Sequence, residues 1–550
     1  MTVPAPPLES PPASRRLGGV RTWFDRWLTA PNPVMIRELR QFTRLTRTPI
    51  ILATVTIMTT LLMASIGGIA SAATEPANVG VALFHTFFSV AFFVVAWVAP
   101  AVAANTIAAE RSGHTWEALL LTALGPSSIA RGKFLASLVY IGMYIVMLAP
   151  VGALSFLFGG VAPGEVLAGF VLLGLLASLS VAFGLSVSSA FSTPSASVLV
   201  TLLAAVPLSL LAYLGLGVWL SFAAHDVWPA VPAGPPLWLP TAYVAAELDI
   251  TYLAYLVVAP GLGFLFPAWF FYEVTVANMA SITDDRSSGL RRWVLTTLSA
   301  STVAILVLDV GVGHDWRAIA SGMQLFAVLL VFVTFVIAGE PLGPSRRLRV
   351  HWERARAGLW RQYFGPGLLR AASLVVVLGL LGLTTQMGVG TAVELLKAGP
   401  DNAENAVKLV TLGIHLMGFS TFVVGFTSFL RARSKSALPA RLLLAAALFT
   451  ALVGPWILMT IVTHVADNPA MQAIAALSPT YVPAVVFNGV SRSDLPGLLV
   501  AGAVASLVWG LLGLGLLGSS ALRTQRVIAA HRAKIEQIES TLLAEDDAAA

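Results

Sequence analysis

Apolar residues in this chain gather into long runs instead of alternating with polar ones. The runs, each of roughly the 20 residues a membrane span needs, begin with Ile50 to Ala72, Val81 to Ala104, Phe134 to Phe158, Val166 to Ala190, Val198 to Phe222 and Ile250 to Tyr272. A second set covers Trp293 to Val312, Ile319 to Ala338, Ala371 to Gly390, Val407 to Leu430, Leu442 to Val465 and Leu495 to Ser519. A helix of this length crosses a bilayer with its backbone hydrogen bonds satisfied internally. The pattern predicts an all-α, polytopic helical membrane protein with about twelve transmembrane helices.

The polar positions between the runs set an orientation. Arg15, Arg16, Arg21, Arg26, Arg37, Arg40, Arg44 and Arg47 precede the first run. Even-numbered runs are followed by Arg111, Arg131 and Lys133, by Arg286, Arg291 and Arg292, and by Arg346, Arg347, Arg349, Arg354, Arg356 and Arg361. Further on come Arg431, Arg433, Lys435 and Arg441, then Arg523, Arg526, Arg532 and Lys534. Loops after odd-numbered runs carry almost none, with Arg317, Lys397 and Arg492 as exceptions. Basic residues stay on the cytoplasmic side, so both termini are expected in the cytoplasm of a bacterial-type inner (plasma) membrane. The uncharged segment Ser192 to Ser197 is the point where two crossings could instead be one re-entrant hairpin.

The layout divides into two sixes, a first half over 50–290 and a second over 291–519. In each, the longest external loop lies between the fifth and sixth runs, Ala223 to Asp249 and Ala466 to Asp494. Local phrases echo as well: Leu239-Pro240-Thr241-Ala242-Tyr243 against Leu477-Ser478-Pro479-Thr480-Tyr481. Six is even, so both halves insert the same way, as a parallel pseudo-repeat with a pathway between them would.

The flanks are of different kinds. Residues 1–31 form a Pro- and Arg-rich tail expected to be disordered. Over 32–48 the pattern turns amphipathic: Val34, Ile36, Leu39, Phe42 and Leu45 near one helical face, Arg37, Arg40, Arg44 and Arg47 on the other. That predicts an interfacial helix with its apolar side in the acyl boundary and its arginines on lipid phosphates. From Arg523 to Asp547, within the tail 520–550, Ile528, Ile535, Ile538 and Leu542 alternate with charges, which reads as a separate cytoplasmic amphipathic helix. Gly510, Gly513, Gly515 and Gly518 predict close helix packing in the last run.

Composition agrees and excludes several chemistries. Apolar residues make up 57% and charged ones 11%, more apolar surface than a soluble chain can bury. There is no cysteine, so disulfides and thiolate chemistry are out. The formal charge of +6 sits at span ends, which argues against nucleic acid. The eight histidines show no metal-ligand spacing, and no metal site is expected. Ionisable residues within runs are His85, Glu273, Asp309, Lys408 and His415. Glu273 and Lys408 are expected to reach the interface, Asp309 lies near an outer boundary, and each histidine is expected to stay neutral and hydrogen-bond a neighbouring helix.

The most specific segment lies between the second and third runs. Glu110-Arg111 ends the second run; Thr115 to Leu124 suits a short amphipathic helix closed by Gly125-Pro126; Ser127 to Arg131 then leads to Gly132-Lys133. An apolar stretch (Ala118, Leu119, Leu120, Leu121) in a loop needs covering, which suggests a docking piece.

Asn32-Pro33-Val34 with Arg37-Glu38-Leu39-Arg40 resembles the opening of permease subunits of type-2 ATP-binding-cassette transporters. Residues 107–133 are similar to the loop after that family's second span, through Ile107, Glu110, Arg111, Gly113, Thr115, Glu117, Leu119, Leu120, Gly132 and Lys133. His114 separates Gly113 from Thr115 and Ala123 replaces a frequent Pro. The resemblance implies that Arg37, Glu38, Arg40 and Arg44 lie on the connecting helix. It implies equally that the 107–133 loop couples the bundle to a separate nucleotide-binding ATPase, as expected of an exporter. In the second half the arginine-rich loop Gly339 to Pro366 lacks the pattern, which leaves that half's contact with an ATPase open.

The chain itself has no phosphate-cradling loop. Gly125 to Lys133 has six residues between its glycines where four are needed, and Phe134 where a hydroxyl should follow. No catalytic residue and no cofactor are therefore expected on this chain, ATP being bound by the partner. The alternatives are a secondary, ion-coupled transporter, a membrane enzyme and a non-transporting membrane regulator. The in-span acids and bases are few for an ion-coupled carrier, and Asp226, Glu247 and Asp249 lack companions for an enzyme. Substrate stays open, as does whether a homodimer or a single-chain pseudo-dimer is the working unit.

Overall fold

The computed structural model describes residues 32–549 apart from 45–46, 74–75, 123, 230, 232–238, 282, 313–315, 357, 398, 400, 466–474 and 488–494. The tail predicted over 1–31 lies outside the described residues. Each apolar run is helical, and no strand occurs among the described residues. The first half contains α1 (Pro33–Arg44), α2 (Arg47–Ala73), α3 (Pro76–Ser112), α4 (Trp116–Leu121), α5 (Pro126–Leu157) and α6 (Pro163–Ala190). It continues with α7 (Pro194–Leu211), which passes through a π-helical stretch (Ala212–Gly217) into α8 (Val218–Val227). Then come α9 (Leu239–Ala245) and α10 (Ile250–Tyr252), the latter running through a second π-helical stretch (Leu253–Val258) into α11 (Ala259–Met279). The second half contains α12 (Ser288–Val312), α13 (Trp316–Ile337), α14 (Arg346–Arg354), α15 (Leu359–Phe364), α16 (Leu368–Leu396), α17 (Asn402–Arg433), α18 (Ala437–Val465), α19 (Tyr481–Phe487) and α20 (Leu495–Ala549).

Eleven helices among the described residues are long and apolar enough to cross a membrane, so the chain is a multi-pass helical membrane protein. The remaining predicted span falls in α2, whose described apolar stretch, Ala53–Ile69, is shorter. Around Ser192, α6 and α7 are two full-length helices joined at Phe191–Thr193, each long enough to span.

The halves use the same packing scheme. In the first, α6 is the hub and touches α3, α5, α7, α9 and α11. In the second, α17 is the hub and touches α13, α16, α18, α19 and α20, the elements at the corresponding places in the order. Each half buries its own core, one centred on residues such as Phe87, Ile107, Ile141 and Leu173, the other on Phe326, Leu330, Leu383 and Leu412. The halves meet where α11 packs on α12, with Trp293 Nε1 donating to the Phe266 carbonyl at 2.8 Å.

Small residues allow the tightest of these contacts. A Cβ on Gly513 would sit 2.6 Å from the backbone of Phe422, so α17 and α20 touch backbone to backbone. Gly515 and Gly518, predicted to pack likewise, have nothing within 4 Å. They lie on the other side of α20.

One other expectation changes. The last span and the tail are not separate: α20 is one helix of 55 residues, about 80 Å long at 1.5 Å per residue. Helix α11 runs to Met279, so Glu273 lies inside it and accepts a hydrogen bond from Trp269 Nε1 at 3.0 Å. Lys408 is paired one turn along with Glu404 at 2.8 Å and lies over the Trp316 ring. His415 behaves as a helix-bridging residue: Nδ1 is 2.9 Å from Ser506 Oγ on α20, and Nε2 is 2.9 Å from the Pro479 carbonyl. The Asp309 side chain lies outside the described residues.

Candidate functional site

Helix α1 meets the C-terminal end of α3 and the N-terminal end of α5 at one end of the bundle. Pro33 starts α1, where a missing N–H costs nothing, and Asn32 before it uses its side chain twice. Asn32 Oδ1 accepts from the Val34 N–H at 2.9 Å, and Nδ2 donates to the Ser128 carbonyl at 2.7 Å. Gly132 then lets the helices close. A Cβ there would lie 2.7 Å from Val34 Cβ, 2.9 Å from Asn32 Oδ1 and 3.1 Å from the Met35 nitrogen. Higher up, Phe42 stacks on Tyr140 with ring centroids 4.6 Å apart. Gly132 of the Gly-Lys pair and Asn32 and Val34 of the Asn-Pro-Val phrase are thus two sides of one contact.

Inside that contact is a charge network of four side chains. Lys133 is completely buried; its Nζ is 2.8 Å from Glu38 Oε1 and 3.1 Å from Glu110 Oε2, with the Thr106 carbonyl at 3.5 Å. Arg37 closes the set, 2.8 Å from Glu38 Oε1 and paired with Glu110 Oε1. Two carboxylates and two cations make the cluster neutral, which suits the burial of Lys133 and Glu38, while Arg37 lies at its exposed edge. Burial alone would push the Glu38 carboxyl up, but Lys133 and Arg37 outweigh it and hold it below the ordinary carboxylate range. Burial likewise disfavours charged Arg37, and Glu38 with Glu110 reverses this, leaving its pKa raised.

The interfacial helix therefore differs from expectation. Val34 and Phe42 cover α5 instead of acyl chains, Glu38 is buried, and Arg37 pairs with carboxylates. Arg40 is exposed. The Arg44 side chain lies outside the described residues, and Arg47 begins α2 instead of continuing α1.

Beyond the network, the loop leaves α3 through Gly113 and His114. Gly113 N–H donates to the Ala109 carbonyl at 2.9 Å, and His114 takes a left-handed backbone (φ 55°) that stops the helix. Thr115 returns to Glu110, its N–H 3.0 Å from the Glu110 carbonyl. Arg111 points the other way, donating to the Ser189 carbonyl at 2.7 Å and resting 5.5 Å from the Trp116 ring centre, so it joins α3 to the end of α6. The following helix, α4, is shorter than the predicted Thr115 to Leu124. Leu119 is its buried anchor, Glu117 is exposed, and Leu121 is 86% exposed. The Leu120 side chain lies outside the described residues. Ser127 to Arg131, expected as a separate stretch, forms the first turns of α5.

A second buried ion pair occupies the matching place in the second half, and sequence reasoning missed it. Arg291 and Glu340 are almost fully buried and 3.2 Å apart. Arg291 also donates to the carbonyls of Tyr363 at 2.6 Å and Gly367 at 2.7 Å, and Ser287 Oγ donates to Glu340 at 2.9 Å. Glu340 follows α13 as Glu110 ends α3; the available signal was a glutamate at the C-terminal end of both second spans.

The chain matches no family model, no curated protein and no solved structure. Among the described residues, no cluster of histidine, aspartate and glutamate is arranged to hold a metal ion.

Proposed function

We propose that this chain is the membrane-spanning permease subunit of an ATP-driven transporter, an exporter, whose ATPase is a separate protein docking at α4. The observation that carries the reading is the neutral network of Glu38, Glu110 and Lys133, largely buried, closed on its exposed side by Arg37. It ties α1, α3 and α5 together where α3 leads, through Gly113 and His114, into a short helix that leaves Glu117 and Leu121 exposed. A partner that pushes on α4 would move these helices as one body, because separating them strands buried charge at a cost of about 3–5 kcal/mol. Switching between two states of the bundle needs that kind of stiff connection. The basic flanks support a cytoplasmic position for α4 at an inner membrane, where ATP is available. ATP is bound by the partner, and nothing on this chain is required to hydrolyse it.

The test is affinity purification in mild detergent with and without Glu117→Ala and Leu121→Ala. The expected result is a co-purifying ATPase whose stimulation falls with either variant, while the permease stays monodisperse. Recovery of the chain alone, even after crosslinking, would overturn the reading.

A further inference from the structure

The loop between α13 and α16 stands where the 107–133 loop stands in the first half, yet it offers a different surface. It carries six arginines against two glutamates over 339–366, and one of the glutamates, Glu340, is buried with Arg291. Helix α14 is fastened to the bundle by its apolar side, with Leu348 and Trp352 buried and Trp352 fitted against Gly365. Its opposite side is basic: Arg346, Arg347, Val350, His351 and Arg354 line an open groove of about 450 Å³.

Helix α15 fixes the depth of this surface. Arg291 at the start of α12 donates to the Tyr363 carbonyl at 2.6 Å, and Arg370 in the first turn of α16 donates to the Gln362 carbonyl. The Tyr363 hydroxyl is 3.1 Å from Ser373 Oγ, beyond that first turn. Helix α15 is therefore folded back alongside the beginning of a spanning helix, not held out into water. At its other end Leu359 is 84% exposed and Trp360 is 77% exposed. A large aliphatic and an indole projecting from a helix tied to the first turns of a span, with arginines beside them, suit the headgroup layer. An acidic protein surface would satisfy the arginines but would give Leu359 and Trp360 no apolar cover.

We propose that α14 and α15 form a binding surface for anionic phospholipid: arginines of α14 take the headgroup phosphates while Leu359 and Trp360 insert at the acyl boundary. The proposal rests on the membrane-spanning character of the bundle and not on the ATPase reading. The two loops then differ in kind. One leaves Glu117 and Leu121 exposed on α4, and the other holds its half of the bundle to the bilayer surface.

Because the chain has no cysteine, a Trp360→Cys variant can carry a single environment-sensitive fluorophore. The full chain is placed in nanodiscs of phosphatidylglycerol or phosphatidylcholine, and quenching by lipid-borne nitroxides is compared with quenching by aqueous iodide. The expected result is lipid quenching with iodide protection in phosphatidylglycerol. Adding Arg346→Gln, Arg347→Gln and Arg354→Gln should lower the excess retention of phosphatidylglycerol over phosphatidylcholine roughly tenfold or more in native mass spectrometry. These arginines are on the surface, so monodispersity on gel filtration should not change. A label open to iodide in phosphatidylglycerol would overturn the proposal and favour an acidic protein partner. So would unaltered lipid preference in the triple variant.

Discussion

The buried Nζ of Lys133 lies 2.8 Å from Oε1 of Glu38, a residue 95 positions earlier in the chain. Neither residue has water to fall back on, so each is worth more to the fold in the presence of the other than alone. Lys133→Met should destabilise the protein by about 3–5 kcal/mol, because Glu38 and Glu110 are then left with only Arg37. The double variant Lys133→Met with Glu38→Gln should be more stable than the sum of the single losses. Thermal unfolding in detergent measures all three. Additive losses would mean that the pair does not act as one unit.

Acid should release the same contact, and the sign is fixed by the direction of the Glu38 shift. Its carboxyl is held below its ordinary value of 4.5, so the stability it contributes is fully present above that pH. It is lost as pH falls through the lower folded value. Unfolding temperature should thus be insensitive to Glu38 protonation from neutral pH to about 5 and should fall below 4.5. In Glu38→Gln that acid step should shrink. An equal step in both proteins would assign it to other groups.

His114 makes a backbone demand that can be tested without touching the network. With φ at 55° it sits where β-branched residues are strained by roughly 1–2 kcal/mol. His114→Val should raise hydrogen exchange across 113–122, whereas His114→Gly should leave it near the native level. Exchange that is unchanged in the valine variant would show that the turn is not held in this conformation.

The spans were readable because a bilayer demands the same thing of each: an unbroken apolar run. The site was readable only as fragments. Asn32, Glu38, Glu110, Gly132 and Lys133 all stood out in sequence, but nothing in their spacing says that Gly132 receives Val34 or that Lys133 reaches Glu38. Such pairings are set by how α1 lies across α5, a tertiary matter. Arg291 and Glu340 went unnoticed because single charges at span ends usually face water. The unbroken α20 is a different case. No glycine or proline follows Gly518, so the signals that normally end a helix were absent and the continuous helix could have been anticipated.

Gly132 offers the most local test of the candidate site. An added methyl would meet Val34 Cβ at 2.7 Å and the Met35 backbone nitrogen at 3.1 Å, and neither atom belongs to a flexible chain end. Helix α1 must therefore shift, which in a packed contact costs about 1–3 kcal/mol. The shift also opens the Lys133–Glu38 pair, so the variant should lose part of what Lys133→Met loses, without removing a charge. Paired cysteines at the exposed positions Gln41 and Arg131, spin-labelled in an otherwise cysteine-free chain, report the α1–α5 distance. Gly132→Ala should broaden that distance distribution and move it outward, whereas His114→Gly should not. If the distribution stays narrow and in place, α1 is not held by this contact, and the rigid connection leading to α4 loses its structural basis.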